Sequence, residues 1–452
     1  MLEFKEAYSY IEQLDRLGSV LGLENMQALM DTLENPQNDI RVIHIAGTNG
    51  KGSVGAYLAS MLKEVGVKVG RFCSPAVFEV LECWQYDGRN MTEEEYAYTV
   101  SQVKSACDTL ALHPKHPVFP TRFEVETAMA FVYAKNMQVD VLLLETGMGG
   151  ATDATNVVTN PLACVFTTIS RDHMQFLGES LEEIASIKAG IIKPGAFVFS
   201  ASQDPEVATV LDAKIKEISQ GNEIITDVEE QTLKILSQEA GKLCFAYKGE
   251  GYETSMAGVY QVKNAALAME VYTKILDLVT EMSHFQDTYS GDMLIEKKQD
   301  GIKKGVANTT WPGRFEIIVH NPLFVIDGAH NEDAVKQLAI TVENCFTNQP
   351  IDFIIGILAD KEHEKMLEHM MPYANRIFTV TPPNKRGLDG KILAEEVKVW
   401  HENVIFCETI EEAIKGALSH SEKEGCPILA FGSLSYLGKL KETYKQICES
   451  RV

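Results

Sequence analysis

Ile45-Ala46-Gly47-Thr48-Asn49-Gly50-Lys51-Gly52-Ser53 stands where an apolar strand at 42–45 gives way to a helix running from about residue 53 to 66. A glycine-rich turn at such a junction aims several backbone N–H groups and the positive helix end at one spot. Lys51 adds a full charge there, which is what holding a polyphosphate requires. The match to the Walker pattern is imperfect, because Ile45 takes the place of the first glycine and Gly52 separates Lys51 from the Ser53 hydroxyl. An ordinary glycine-rich turn uses the same residues, but the strand–loop–helix setting favours a nucleotide triphosphate site.

Composition agrees with a soluble enzyme. A chain of 452 residues exceeds one core and predicts two domains or three. No apolar run approaches the ~18 residues of a membrane span. The opening Met1-Leu2-Glu3-Phe4-Lys5-Glu6 has neither a basic nor an apolar leader pattern, so neither a membrane partner nor export is expected. Nine cysteines form no Cys-x-x-Cys pair and sit mostly in strand-like stretches, which predicts buried thiols in a reducing compartment, the cytoplasm. A formal charge of −23 argues against a nucleic-acid partner, so an anionic substrate needs locally gathered cations.

Strand and helix patterns alternate almost throughout, which predicts parallel sheet with helices on both faces. Strands are expected at 42–46, 67–73, 139–145, 164–169 and 196–200. Thr92 with Glu95, Thr121 with Glu124 and Ser180 with Glu183 have capping-box spacing. Residues 222–258 read as an antiparallel annex to that sheet, 261–278 as a helix, and 284–312 as a connection between domains with room for a short helix or strand. Five further strands, at 324–326, 353–357, 377–380, 404–406 and 428–431, predict a smaller doubly wound domain. The expected boundaries are 1–300 for a P-loop domain and 301–452 for a Rossmann-like one, with the active site in the cleft between them.

Four more clusters carry chemistry. Leu142-Leu143-Leu144-Glu145-Thr146-Gly147-Met148-Gly149-Gly150 ends a strand on a carboxylate, as P-loop enzymes do to reach nucleotide-bound Mg²⁺; alone, such a Glu is simply solvated. Asp172-His173 closes another strand, and His173 reads either as a metal ligand or as a hydrogen-bonded loop residue. Lys188 lies on a helix face with Ile184, Ile187 and Ile191, where it either snorkels to water or is desolvated. A desolvated, neutral amine can take up CO₂ and become an anionic, metal-binding carbamate. Trp311-Pro312-Gly313-Arg314 and Asp327-Gly328-Ala329-His330-Asn331 open the second domain. There Arg314 can grip phosphate or carboxylate oxygens, or merely pair with Asp327.

The ordered set 47–53, Ser74-Pro75, Phe123-Glu124 with Thr127-Ala128, Glu145 to Gly150 with Asp153-Ala-Thr-Asn156, Asp172-His173, Lys188 to Ile191, 311–314 and 327–331 resembles the folylpolyglutamate synthase family. This is the folate branch of the Mur ligases, and the likeness runs from about residue 40 to the Gly432-Ser433-Leu434 turn. Lys51-Gly52-Ser53 is that branch's form of the P-loop, whereas the wall-building Mur enzymes usually place Thr or Ser directly after the lysine.

The resemblance implies a Mur-ligase-like central P-loop domain, a Rossmann-like C-terminal domain, and ATP-dependent addition of L-glutamate to a reduced folate through an acyl phosphate. Dihydropteroate is a second conceivable acceptor. It implies ATP contacts from Gly47, Thr48, Asn49, Gly50, Lys51, Gly52 and Ser53, joined from the opposing domain by Asn264, Arg314 and Asp327. Ser74, Glu145 and His173 are then magnesium ligands, with Lys188 as a carbamate at a second magnesium, and a monovalent cation is allowed for. His330, Ser433 and Phe123 are substrate candidates, and the family's usual state is monomeric.

Three positions depart from the common family pattern: Ala76 stands where His is frequent, and Cys83 and Ala151 where Arg is. The last two remove positive charge, so the folate pocket is expected to differ from the usual one. The rival readings are a Mur-type ligase acting on another carboxylate and a nucleotide-dependent switch without ligase activity. The switch leaves the Arg314, Asp327 and His330 set unexplained.

Overall fold

Buried runs of branched and aliphatic residues make the strands that the alternation predicts. The computed structural model describes residues 1–18, 22–172, 174–218, 224–280, 291–347 and 349–449, so the readings of His173 and of 284–290 lie outside the described residues. Two units emerge: Met1–Ala76, Val80–Gln231 and Lys263–Asn308 form the first, and Val77–Glu79, Thr232–Val262 and Thr309–Val452 the second.

In the first unit the strands are β1 (Val42–Ala46), β2 (Val69–Phe72), β3 (Trp84–Tyr86), β4 (Arg89–Asn90), β5 (Val141–Glu145), β6 (Ala163–Phe166), β7 (Phe197–Ser200) and β8 (Ile224–Asp227). They form one sheet in the order β4-β3-β2-β5-β1-β6-β7-β8. From β2 to β8 in that order all pairs are parallel, while β3 and β4 fold back antiparallel at the edge. Every residue of β1, β2, β5 and β6 is buried, as a sheet covered on both faces demands. All three capping boxes read from the sequence are present, at the heads of helices Glu93–Ala111, Arg122–Asn136 and Leu181–Ala189.

The stretch read as a connection contains an 18-residue helix, Gly291–Asn308. Its glycines, which suggest a broken chain in sequence, serve close packing. A side chain on Gly305 would meet the Met61 backbone at 2.5 Å, and the Gly305 carbonyl accepts the Ser60 hydroxyl at 2.8 Å. The helix therefore lies directly on helix Lys51–Glu64, the one that follows the P-loop.

In the second unit β9 (Lys234–Glu239), β10 (Lys242–Tyr247) and β11 (Glu250–Thr254) make an antiparallel sheet of their own, not the annex expected. A further sheet holds β12 (Glu316–His320), β13 (Leu323–Ile326), β14 (Ile351–Ile355), β15 (Ala374–Thr379), β16 (Val404–Phe406) and β17 (Ile428–Phe431) in the order β12-β13-β17-β14-β15-β16. Five of its strands are those read from the sequence, and β12 is an additional antiparallel edge. Phe353 and Ile355 enter one core and Ile354 the other, so this sheet too is covered on both faces.

Candidate active site

Sheet order brings the first unit's chemistry together. Neighbouring strands β2, β5, β1 and β6 end at Phe72, Glu145, Ala46 and Phe166, so Ser74, Glu145, the 47–53 loop and Asp172 all follow adjacent strand ends. Ligands bind at such carboxyl ends in open α/β sheets. Gly50 caps helix Lys51–Glu64 with φ 94°, a left-handed conformation that glycine adopts without strain. Asn264 lies over it, its Oδ1 at 2.5 Å from where a side chain on Gly50 would begin. Asn264 thus belongs to the P-loop's own unit, a correction to the expectation that it reaches in from the opposing domain. It projects from helix Gln261–Thr280, whose later residues pack with the first unit.

The loop itself is selective about its donors. Thr48 and Asn49 turn their N–H groups to the Thr168 carbonyl, at 2.8 and 3.3 Å. The first turn of the helix that begins at Lys51 is the end that suits a phosphate, because helix N-termini present backbone N–H groups to anions. Lys51 Nζ donates to the carbonyls of Gly47 and Thr48, both at 3.3 Å, and lies 3.8 Å from Glu145 Oε1.

Lys188 converges on the same carbonyl. Its capped helix, Leu181–Ala189, presses against the loop after Glu145, where Ala151 N–H donates to the Ile187 carbonyl at 2.8 Å. Lys188 is buried, and its Nζ donates to Gly47 O at 2.9 Å. Burial first, then the Lys51 charge, lower its pKa to about 7, against the pull of Asp172 and Asp153. The snorkelling alternative is therefore not realised. Phe123 packs its ring on Gly147, where any side chain would collide with it, and stands 6.2 Å from the Phe72 ring.

Two residues that the sequence reading gave no role support this site. Arg71 is buried in β2, donating to the Gly52 carbonyl and to Gln85 Oε1 at 3.3 Å; the signal was a charged residue inside an apolar strand run. Asp153 accepts from Met148 N–H at 2.8 Å and from the Thr155 N–H and hydroxyl, so it pins the Gly147–Gly150 turn. The Thr155 hydroxyl in turn meets buried His44 Nε2 at 2.8 Å.

In the second unit β13 and β17 lie side by side, and the antiparallel β12 starts at the same edge. The residues 311–315, 327–331 and 432–433 therefore gather there. Gly328 N–H donates to the Gly313 carbonyl at 2.8 Å and Gly432 N–H to Ala329 O at 3.0 Å. Asp327 is buried with both oxygens engaged. Oδ1 accepts from Ala329 N–H at 2.8 Å; Oδ2 accepts from Phe315 N–H at 2.8 Å and from the Tyr260 hydroxyl at 2.6 Å. Burial raises its pKa, while the Tyr260 hydrogen bond and the Arg314 charge act against that rise.

Phe315 needs this anchor, because its φ of 47° is strained for a side chain of its size. Arg314 Nη1 donates to the Gly313 carbonyl at 3.1 Å, and His330 Nδ1 meets Gly328 O at 2.8 Å. Ser433 is buried and accepts Ser435 N–H at 3.2 Å, which makes it a cap for helix Leu434–Glu449. Tyr260 is a supporting residue that the sequence reading missed. Its role shows only through a partner 67 positions away.

Magnesium fits the donors present in the first unit. The Ser53 and Ser74 hydroxyls and the Glu145 carboxylate are hard oxygen donors of the kind magnesium takes, and among the described residues no three His, Cys, Asp or Glu side chains form a cage. So sparse a set suits an ion that keeps waters and shares phosphate oxygens. Among the described residues no helix is long and apolar enough to cross a membrane.

Comparison with known proteins agrees with this geometry. Residues 45–272 match the Mur ligase middle domain, and 313–434 the glutamate ligase domain of Mur ligases. The dihydrofolate synthase/folylpolyglutamate synthase of Bacillus subtilis is 33% identical, the match covering 98% of this chain and 99% of that protein. The folylpolyglutamate synthase of Lacticaseibacillus casei is 30% identical over 98% and 99% of the two chains. The Mycobacterium tuberculosis folylpolyglutamate synthase solved with ADP superposes with a TM-score of 0.83 at 27% identity, covering 98% of this chain and 99% of that one. The chain belongs to the folylpolyglutamate synthase/dihydrofolate synthase family of Mur ligases, ATP-dependent enzymes that form amide bonds.

Proposed function

We propose that this protein joins L-glutamate to the carboxylate of a reduced folate. ATP transfers its γ-phosphoryl group to that carboxylate, giving an acyl phosphate and ADP. The glutamate amine then attacks the carbonyl carbon, and the tetrahedral intermediate expels phosphate and leaves an amide. Lys51 and the first-turn N–H groups hold the β- and γ-phosphates and offset charge as it develops. Ser53, Ser74, Glu145 and His173 would hold magnesium, which when bound would offset the negative charge of the transferring phosphoryl group.

The observation that carries the reading is Lys188. It is a buried amine with its pKa near 7, sharing the Gly47 carbonyl with the P-loop lysine. About half of such an amine is neutral at pH 7, so it can add CO₂ and lose a proton to become an anionic carbamate. A carbamate there would hold a second metal, and room for a monovalent cation belongs to the same reading. Arg314 and His330 are proposed to meet the ATP and the incoming glutamate, and Phe123 the folate side. Asp327 and Ser433 act through their neighbours. We read the enzyme as a cytoplasmic monomer, and its nine unbridged cysteines support a reducing compartment.

The test is ADP release by the purified protein with Mg·ATP and L-glutamate, comparing tetrahydrofolate, dihydropteroate and no acceptor, with products weighed by mass spectrometry. A gain of one glutamyl residue on tetrahydrofolate is expected. The same gain on dihydropteroate makes the enzyme bifunctional, and no gain on either returns the acceptor to another carboxylate.

A further inference from the structure

Two thiols oppose each other beside Ser74. The antiparallel β2–β3 ladder ends at the pair Phe72–Trp84, and one residue beyond it Cys73 faces Cys83, the last residue of the turn Val80–Cys83. Cys73 N–H donates to the Cys83 carbonyl at 3.0 Å. Opposed residues of an antiparallel pair hold their Cα atoms roughly 4.5–5.5 Å apart and project to the same face. That spacing lies within the ~4.4–6.8 Å that a disulfide spans. The Cys73 thiol leans toward this neighbour, with Sγ 3.5 Å from Glu82 O and 3.8 Å from Cys83 O. Both thiols are unbridged and buried. Cys73 therefore sits one residue before the hydroxyl expected to join magnesium.

We propose that Cys73 and Cys83 are a reversible dithiol–disulfide pair that weakens Mg·ATP binding when bridged. The proposal rests on the reading of Ser74 as a magnesium ligand. A bond from Cys73 to the turn ending at Cys83 fixes the backbone that carries Ser74, so its hydroxyl cannot adjust to the ion. The oxidant that suits buried thiols is small and uncharged, as hydrogen peroxide is. One thiol gives up its proton and attacks a peroxide oxygen, forming a sulfenic acid and releasing water. The second sulfur, losing its own proton, displaces the sulfenic oxygen as a second water and closes the S–S bond. Two electrons pass from the sulfurs to the peroxide, and a dithiol reductant reverses the change by exchange.

The full-length protein is treated with peroxide, alkylated, digested and weighed, and nucleotide binding is followed by calorimetry with and without Mg²⁺. The expected result is joined Cys73 and Cys83 peptides, two hydrogens lighter than the reduced pair. Mg·ATP affinity falls about tenfold, as when a metal ligand's support is lost, and dithiothreitol restores it. ATP binding without Mg²⁺ stays unchanged. Cys73→Ser and Cys83→Ala bind Mg·ATP as the reduced parent does and lose the peroxide response. Two separately alkylated thiols after peroxide overturn the proposal, and so does a bridge that leaves Mg·ATP affinity intact. A loss that persists in both variants does the same. None of these readouts needs an acceptor, so failure of the folate assignment is scored separately.

Discussion

Lys188 in the first unit and Asp327 in the second are both buried beside a glycine-rich loop, and burial pushes each toward its neutral form. Their surroundings differ. The Lys188 amine donates to one carbonyl next to a second lysine, and the charges of Asp172 and Asp153 offset only part of the burial, so its pKa falls to about 7. Three donors from its own unit surround the Asp327 carboxylate. A buried polar group that is fully hydrogen-bonded stiffens its surroundings, whereas one left partly met stores reactivity. On the proposed function, the first loop cluster is the one that reacts and the second holds Arg314 and His330 in place.

That contrast breaks most directly at Lys51. Lys51→Ala is expected to lower acceptor-dependent ADP release by roughly 10²–10³-fold, the cost of one lost electrostatic contact to the transition state. Turnover within a few-fold of the parent would remove the P-loop from the mechanism. Lys188→Ala should cost about 10²-fold, with partial recovery when small carboxylates are added as carbamate substitutes.

Lys188 also predicts an inverse effect on stability. Its folded pKa of about 7 lies below the 10.5 of an exposed lysine, so between those values the unfolded chain binds a proton that the folded chain lacks. This contribution to stability rises with pH over that window; the burial cost is full below pH 7 and relieved toward 10.5. Lys188→Met should therefore raise Tm at pH 7 while abolishing activity, and the gain should shrink by pH 10. A gain that stays constant with pH contradicts the lowered pKa.

Smaller effects are expected in the second unit. Asp327→Asn keeps the volume but turns an amide N–H toward backbone donors, which should cost about 1–3 kcal/mol in urea unfolding. The same change should reduce ADP release roughly tenfold, by moving Arg314. Tyr260→Phe removes one of the three donors and should cost only about 1 kcal/mol. If Tyr260→Phe impairs catalysis as severely as Lys188→Ala, the second cluster is reactive and not a support.

Much of this was legible in local sequence. The three capping boxes and the strand before Gly47 depend on neighbours within a few residues, and all appear where the spacing puts them. Helix Gly291–Asn308 is longer than the short helix or strand that its sequence suggests, because Gly301 and Gly305 look like breakers; only the packing partners, Tyr272, Val65 and Met61, show why small residues are needed there. Arg71 hides in an apolar run until the Gly52 carbonyl is placed above it. Ser433, a substrate candidate from the family resemblance, caps helix Leu434–Glu449 through a partner two residues on.

The sequence by itself determined the alternation of strand and helix, the P-loop, and the residue types needed to hold phosphate and magnesium, because each is encoded by spacing along the chain. Tertiary structure alone decided which of those residues remain reactive. The protonation of Lys188, the saturation of Asp327 and the meeting of Cys73 with Cys83 depend on burial and on partners distant in sequence, and dielectric surroundings and hydrogen-bond partners exist only once the chain has folded.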